Sequence, residues 1–396
     1  MVWLVLLSIA VAVPTVENGI KPDGKPWKIQ FEETLRIDQE EVVDEALWSG
    51  PSQVVQVDSK GNITIMDQRE SRLIMFDPNG KFVRQIGAAG QGPGEFQALV
   101  HFQIFEDDSA YVFENQGAVT RVTAYSPGFE YQWRKQIQMP VFPRHGIFSP
   151  DKRWMATTVT RIDGQRGREI TKYLLVSCDF EEPAFEIGKE LLHWESISLD
   201  PAKINDSNHW AEFLGERLQG LSKGYNAFAV FDTKGRAYTA KADAYSITRL
   251  NSEMKPELTF GRKYTPIPMG QEQVDALVLP IRESILQILP PNLQEIISLN
   301  VVRRATELAG FPKAAFPIAG LRLINDDTLL VIHSADPATR LNKGDLFDSE
   351  GRFRGSFEMK DNALMSMVFR NGYAYTVETD ADDNNFIVRY RMTIRP

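Results

Sequence analysis

Cysteine is nearly missing from this sequence: Cys178 stands alone, so no intrachain disulfide can form and no thiolate metal cluster can be built. It sits in the apolar run YLLVSC with no histidine near it in sequence, which reads as a small buried hydrophobe and not as an activated thiol. Histidine is scarce too. The 5 present never pair at the short spacing of zinc ligands, so neither metal nor cofactor is expected. A basic excess is also lacking, with 44 Lys and Arg against 53 Asp and Glu and a net charge of −9. That balance excludes nucleic acid as a partner, because phosphate contacts need a basic surface. The short basic runs, Arg161–Arg168 and Arg303-Arg304, read as solvated faces. No apolar stretch approaches the ~20 residues of a membrane span. The run Met1–Val13 is shorter, and Ala10-Val11-Ala12 has the small-x-small form of a cleavage site, although no Lys or Arg precedes it. Residues 1–12 are therefore read as a signal peptide, and the expected location is periplasmic or secreted.

What the sequence does contain is repetition. Its 396 residues exceed the ~100–200 of one compact domain, so it holds either two domains or a repeat. Residues 54–87, VVQVDSKGNITIMDQRESRLIMFDPNGKFVRQIG, alternate apolar strands with the turns Asp58–Gly61 and Asp77–Gly80. In such turns the leading Asp bonds forward to backbone N–H groups and the closing Gly tolerates positive φ. The two-residue period of Asn62–Met66 and Arg72–Phe76 is that of a sheet, giving one four-stranded antiparallel unit.

The stretch DQRESRLIMFDPNGKFVRQIGAAGQGPGEF, with its Gly-rich linker Gly90–Phe96, resembles an NHL repeat. The likeness implies a β-propeller used as a recognition platform. Further first-hairpin turns fall at Glu106–Ser109, Ser149–Arg153, Asp232–Gly235, Asn325–Asp327 and Arg370–Gly372, making six blades; second-hairpin turns recur at Ser126–Gly128 and Asp348–Gly351. The last unit shows strands near Leu364–Phe369, Tyr373–Val377 and Phe386–Ile394, one too few. The orphan strand Trp27–Ile37 completes it as the outer edge, since a ring left open would expose sheet edges. The expected fold is all-β: a six-bladed propeller over residues 27–396, closed by its N-terminal strand.

Residues 262–317 form the largest insertion, with helical spacing over Gln271–Leu289 and Asn292–Leu308, Pro280 expected to kink or divide the first helix, and Pro290-Pro291 between them. Its apolar stripe needs cover, so it is expected to lie over the propeller mouth as a lid. Leu191–Gly224 is read as a long connection on the same face. The leading residues of the first strands, Gln53, His101, Arg144 or His145, Asn226 and Asn362, should line that mouth. The loops add Asp67, Arg69, Glu114, Arg161, Asp243, His333, Asp336, Glu378 and Asp380. Two motifs are set aside. Gly220–Gly224 matches G-x-S-x-G but is followed by a strand, and reads as a loop. Asp380–Asn385 lacks the Gly and closing Glu of a calcium loop. Two functions compete: a binding module for a peptide, glycan or partner protein on the lidded face, and a lactonase- or lyase-like enzyme with a metal or His/acidic centre in the channel.

Overall fold

The Asp-x-x-Gly turns set the architecture. Asp58 Oδ1 accepts from the backbone N–H groups of Lys60 and Asn62 at 3.0 and 2.8 Å, and Asp77, Asp232 and Asp348 repeat the pattern two and four residues ahead. The fourth residue of each turn, Gly61, Gly80, Gly235 or Gly351, has φ between +74° and +85°, where a Cβ would be strained. Each turn reverses the chain into an antiparallel neighbour.

The computed structural model describes residues 12–49, 54–116, 119–137, 142–179, 184–224, 226–334, 341–359, 363–380, 382 and 384–395. A short strand β1 (Thr15–Asn18) and a long one, β2 (Lys28–Asp38), precede the repeats. Blade 1 contains β3 (Val55–Val57), β4 (Ile63–Asp67), β5 (Arg72–Phe76) and β6 (Phe82–Ile86). Blade 2 contains β7 (Leu99–Ile104), β8 (Ala110–Gln116), β9 (Val119–Tyr125) and β10 (Tyr131–Ile137). Blade 3 follows with β11 (Phe142–Phe148), β12 (Trp154–Asp163), β13 (Arg168–Asp179) and β14 (Ala184–Ile197). Helix α1 (Ser207–Ser222) leads to blade 4, made of β15 (Ala227–Phe231), β16 (Ala237–Lys241), β17 (Ser246–Leu250) and β18 (Pro256–Arg262). Helices α2 (Gln271–Ile288), α3 (Pro291–Gln294) and α4 (Leu299–Ala309) come next. Blade 5 is β19 (Gly320–Asn325), β20 (Thr328–Ile332), β21 (Asn342–Asp348) and β22 (Phe353–Met359). A helical turn, α5 (Ala363–Ser366), opens blade 6, whose strands are β23 (Val368–Arg370), β24 (Tyr373–Thr379) and β25 (Asn385–Arg395).

The ring closes on β2, which runs antiparallel to β25 from Lys28 opposite Arg395 to Asp38 opposite Phe386. Blade 6 therefore has the order β2-β25-β24-β23, with the N-terminal strand outermost. The core is distributed between blades. Along β5, Leu73 and Met75 pack toward Phe102 and Val112 of blade 2, while Ile74 and Phe76 pack with Tyr375 and Ile387 of blade 6. Strand alternation thus feeds two interfaces at once, which is why successive residues Ile63–Asp67 are all buried. Equivalent clusters join blades 2 and 3, 3 and 4, 4 and 5, and 5 and 6.

Several details depart from expectation. Leu191–Gly224 is not mainly loop: β14 runs on to Ile197, and α1 follows with Asp206 as its N-cap, the carboxylate accepting from Asn208 N at 2.8 Å. Gly220–Ser222 end that helix, and Ser222 Oγ donates to Ala309 O, so the hydroxyl is a buried tie between helices. Leu364 belongs to α5 and not to a strand. The second predicted helix is split into α3 and α4, while α2 runs on through Pro280, leaving a kink as the open half of that expectation. β1 is an addition: it lies parallel to β18 as a fifth strand of blade 4. Asn18 there donates to Gly261 O and Gly351 O and accepts from Phe353 N, each at 2.9 Å, pinning blade 4 to blade 5.

Candidate functional site: a roofed cleft above the axial channel

Helices α1, α2 and α4 make their own core. Trp210, Phe213, Leu214 and Leu218 of α1 meet Val274 and Val278 of α2 and Val301, Val302 and Ala305 of α4. Gly215 lets α1 approach α4 closely, since a Cβ there would lie 2.9 Å from Leu308 Cβ. Between this helical layer and the blades lies a cleft of about 780 Å³. Its upper wall includes Leu277 and Pro280 of α2 and Phe311 and Phe316 after α4. Its floor is formed by Phe228, Ala242, Ala319, Asn342 and Met365 from blades 4 to 6. Trp194 closes one side against Gly220, where a Cβ would stand 3.4 Å from the indole. Phe316 is seated on Gly224 (φ +61°), where any Cβ would come within 2.9 Å of the ring.

The lining is mainly apolar, with Asn226, Ser334, Asn342 and Arg217 as hydrogen-bonding residues. Two of these hold unmatched polar atoms. Among the described residues, Asn342 Oδ1 and Arg217 Nε are buried without a hydrogen-bond partner. Arg217 Nη2 donates to Glu169, and the guanidinium lies 4.7 Å from the Phe213 ring centre. Unpartnered buried donors and acceptors are costly, about 1–3 kcal/mol each, and are uncommon in the absence of a role.

Below the cleft runs the axial channel, about 430 Å³, to which all six inner strands contribute. Gln56, His101, Gln103, Glu106, Arg322 and Ser366 are its polar residues. Gln103 ties β7 to β11, accepting from Phe148 N at 2.8 Å and donating to Phe148 O at 3.1 Å. Met365 borders both cavities.

The sequence candidates distribute unevenly around these spaces. His101 lines the channel and Asn226 the cleft. Gln53, Asn362 and Asp336 lie outside the described residues, as do the side chains of Arg144 and His145 in β11. Asp67 is buried and paired with Arg72 at 3.3 Å. Glu114 is buried, accepts from Gln97 N at 2.8 Å and faces Arg134 at 3.7 Å. Glu378 accepts from Arg36 at 3.1 Å and from Tyr390 at 2.5 Å. Arg69, Arg161 and Asp243 are exposed. Asp380 accepts from the N–H groups of Asp382 and Asn384 at 2.9 Å, closing the β24–β25 turn.

His333 joins a polar centre that the sequence did not reveal. Asp345, on β21 and fully buried, accepts from His333 Nε2 at 2.6 Å, Arg262 Nε at 2.5 Å, Arg262 Nη2 at 3.1 Å, Ser356 Oγ at 2.5 Å and the Tyr245 hydroxyl. Burial would raise the carboxyl's pKa, but bonds and charge from His333 and Arg262 outweigh it and hold the group well below the usual carboxylate range. Tyr245 is pushed well above the ordinary phenol by burial and then by Asp345. Five donor groups surround the carboxylate, and because Arg262 and Tyr245 belong to blade 4 while Asp345, His333 and Ser356 belong to blade 5, the cluster is a joint between those blades. Among the described residues no group of three or more His, Cys, Asp or Glu is placed to hold a metal.

Six radial sheets and a closing outer strand define a six-bladed β-propeller. Residues 41–186 match the model of the family described as DUF5128, 6-bladed beta-propeller. Among solved structures, the chain is similar to a member of the DUF4221 family from Bacteroides vulgatus, at 9% identity and TM-score 0.54, covering 94% of this chain and 99% of that one. It is also similar to a protein from Bacteroides fragilis described as exported, at 12% identity and TM-score 0.51, covering 96% and 99%. A PQQ-bound aldose sugar dehydrogenase from Streptomyces coelicolor aligns over 94% and 100% at 9% identity, with a TM-score of 0.43. These likenesses concern the fold. Among curated proteins, none matches this sequence.

Proposed function

We propose that this propeller is a non-catalytic binding module that takes a short peptide, or an extended segment of a partner protein, into the roofed cleft outside the cytoplasm. The observation that carries this is an apolar, aromatic-walled cavity with only a few hydrogen-bonding residues on its lining, among them Asn226, Ser334 and Asn342. A peptide brings apolar side chains that suit Trp194, Phe228, Leu277 and Phe316, and backbone N–H and C=O groups for the few polar residues of the lining. A glycan would leave many hydroxyls facing apolar walls. The NHL-like first blade supports a recognition role, and the apolar run Met1–Val13 supports export. Among the described residues no helix is long and apolar enough to cross a membrane.

Panning a random heptapeptide library on the full chain tests the reading. Apolar peptides should be enriched, and their binding should fall at least about tenfold in Leu277→Glu, since a carboxylate placed against the cleft's apolar wall is desolvated by a bound peptide. Enrichment indifferent to Leu277→Glu would overturn the cleft as the site. Binding on a glycan array with no peptide enriched would overturn the ligand class.

A further inference from the structure

The axial channel contains a cation whose charge is not matched by a carboxylate among the described residues. Arg322, on β19, lies deep between the blades yet keeps part of its surface on the channel. Its Nη1 donates to its neighbour's carbonyl, Leu321 O, at 2.8 Å, and Nη2 donates to Met365 O. No carboxylate pairs with it among the described residues. Glu106, the acidic residue lining the same channel, is ion-paired to Arg370 and bridges blades 2 and 6 in the turns at the opposite end. A guanidinium has five N–H donors, so three remain for something else.

We propose that the channel is a binding site for a single carboxylate group, held by the Arg322 guanidinium. The fork of an arginine fits a carboxylate through two parallel N–H bonds, and one positive charge matches one negative. A phosphate dianion would be left with excess charge in a space that offers no second unpaired cation among the described residues. Burying a charge without a partner is unfavourable, and burial does push Arg322 below the ordinary arginine value. A bound anion relieves that penalty. Gln56 and His101 border the same space and add polar surface. The channel can hold a free monocarboxylate or the carboxylate end of a longer ligand entering past Met365. This site is independent of the peptide reading of the cleft, because its partner atoms and its cavity are different.

The test uses the full-length protein with acetate as probe. Acetate binding is followed by ligand-detected NMR at constant ionic strength, and the site is located by bromide anomalous scattering in crystals of the unaltered protein. Saturable acetate binding, weakened at least about tenfold in Arg322→Met and less in Arg322→Lys, is expected, with bromide ordered beside the guanidinium. Equal acetate binding in Arg322→Met, or none in the unaltered protein, would refute the site. Should Arg322→Met fail to fold, the bromide position decides: density beside Arg322 supports the proposal, and density elsewhere alone defeats it. Adding an N-acetylated tripeptide acid and its amide separates the two sources, since only a ligand that reaches the channel by its terminus will prefer acid over amide in an Arg322-dependent way.

Discussion

Replacing Asp345 by Asn removes one atom's worth of charge from the joint between blades 4 and 5, and the structure sets what that should cost. The carboxylate accepts five hydrogen bonds, two of them from an Arg262 side chain that is only 5% exposed. In Asp345→Asn the guanidinium loses its counter-charge, and the new amide N–H₂ is forced against other donors. Breaking a buried pair by removing one partner costs about 3–5 kcal/mol. With an unfolding entropy of ~2.1 cal/mol/K per residue over 396 residues, this corresponds to a fall in Tm of roughly 4–6 °C. The pH dependence carries a second signature. The folded carboxyl lies below its unfolded value of ~3.9, so its stabilisation is complete well above that value and is lost as pH falls toward the folded pKa. Thermal unfolding followed by circular dichroism from pH 7 down to about pH 2.5 should therefore show the gap between the unaltered protein and Asp345→Asn narrowing below about pH 5. A variant melting within about 1 °C of the parent at pH 7, or a gap that widens in acid, would refute the reasoning.

Other expectations follow from the same contacts. Tyr245→Phe should flatten the alkaline limb of the stability curve, because a phenol with a raised folded pKa contributes stability below about pH 10 that is lost as pH climbs toward the folded value; melting at pH 8–11 reads it. Gly215→Ala should loosen the helical layer by about 1–3 kcal/mol, seen as faster amide exchange in α1 and α4 with blade 1 unchanged. Asn18→Ala gives up three hydrogen bonds, two of them between blades 4 and 5, and should cost about 1–3 kcal/mol by urea unfolding. The Cys178 thiol, pushed well up by burial, should react with a disulfide reagent at pH 8 only as fast as the protein opens; prompt stoichiometric labelling of the native chain would contradict its placement.

How much of this was legible beforehand depends on the range of the interaction. The blade turns were readable because their chemistry is complete within five residues: Asp58 bonds to Lys60 and Asn62, and Gly61 supplies the positive φ. The closing strand was inferred by counting, one strand missing at the end and one left over at the start. Helix α1 was missed although Trp210, Phe213, Leu214 and Leu218 carry its spacing, because a propeller frame invites only strands and loops between blades. Strand β1 was missed because four residues show no period, and its partner lies 244 positions away in the register of Thr15 with Thr259.

The candidate site was less legible still. Of the polar mouth residues chosen from strand order, His101 borders the channel and Asn226 the cleft, while Asp67, Glu114 and Glu378 are absorbed in local pairs. Asn342, Arg217, Arg322 and Asp345 have no local pattern that marks them. Strand periodicity and turn chemistry are short-range, so the amino-acid order alone dictated six sheets, their reversals and the need for an outer strand to seal the ring. Which charges end up matched is settled only when blades from distant parts of the chain meet. Asp345 gains donors from two blades and becomes a joint, while Arg322 gains no acidic partner among the described residues and is left facing the axis. That difference is decided by packing, because an ion pair depends on distance in space and is indifferent to distance along the sequence.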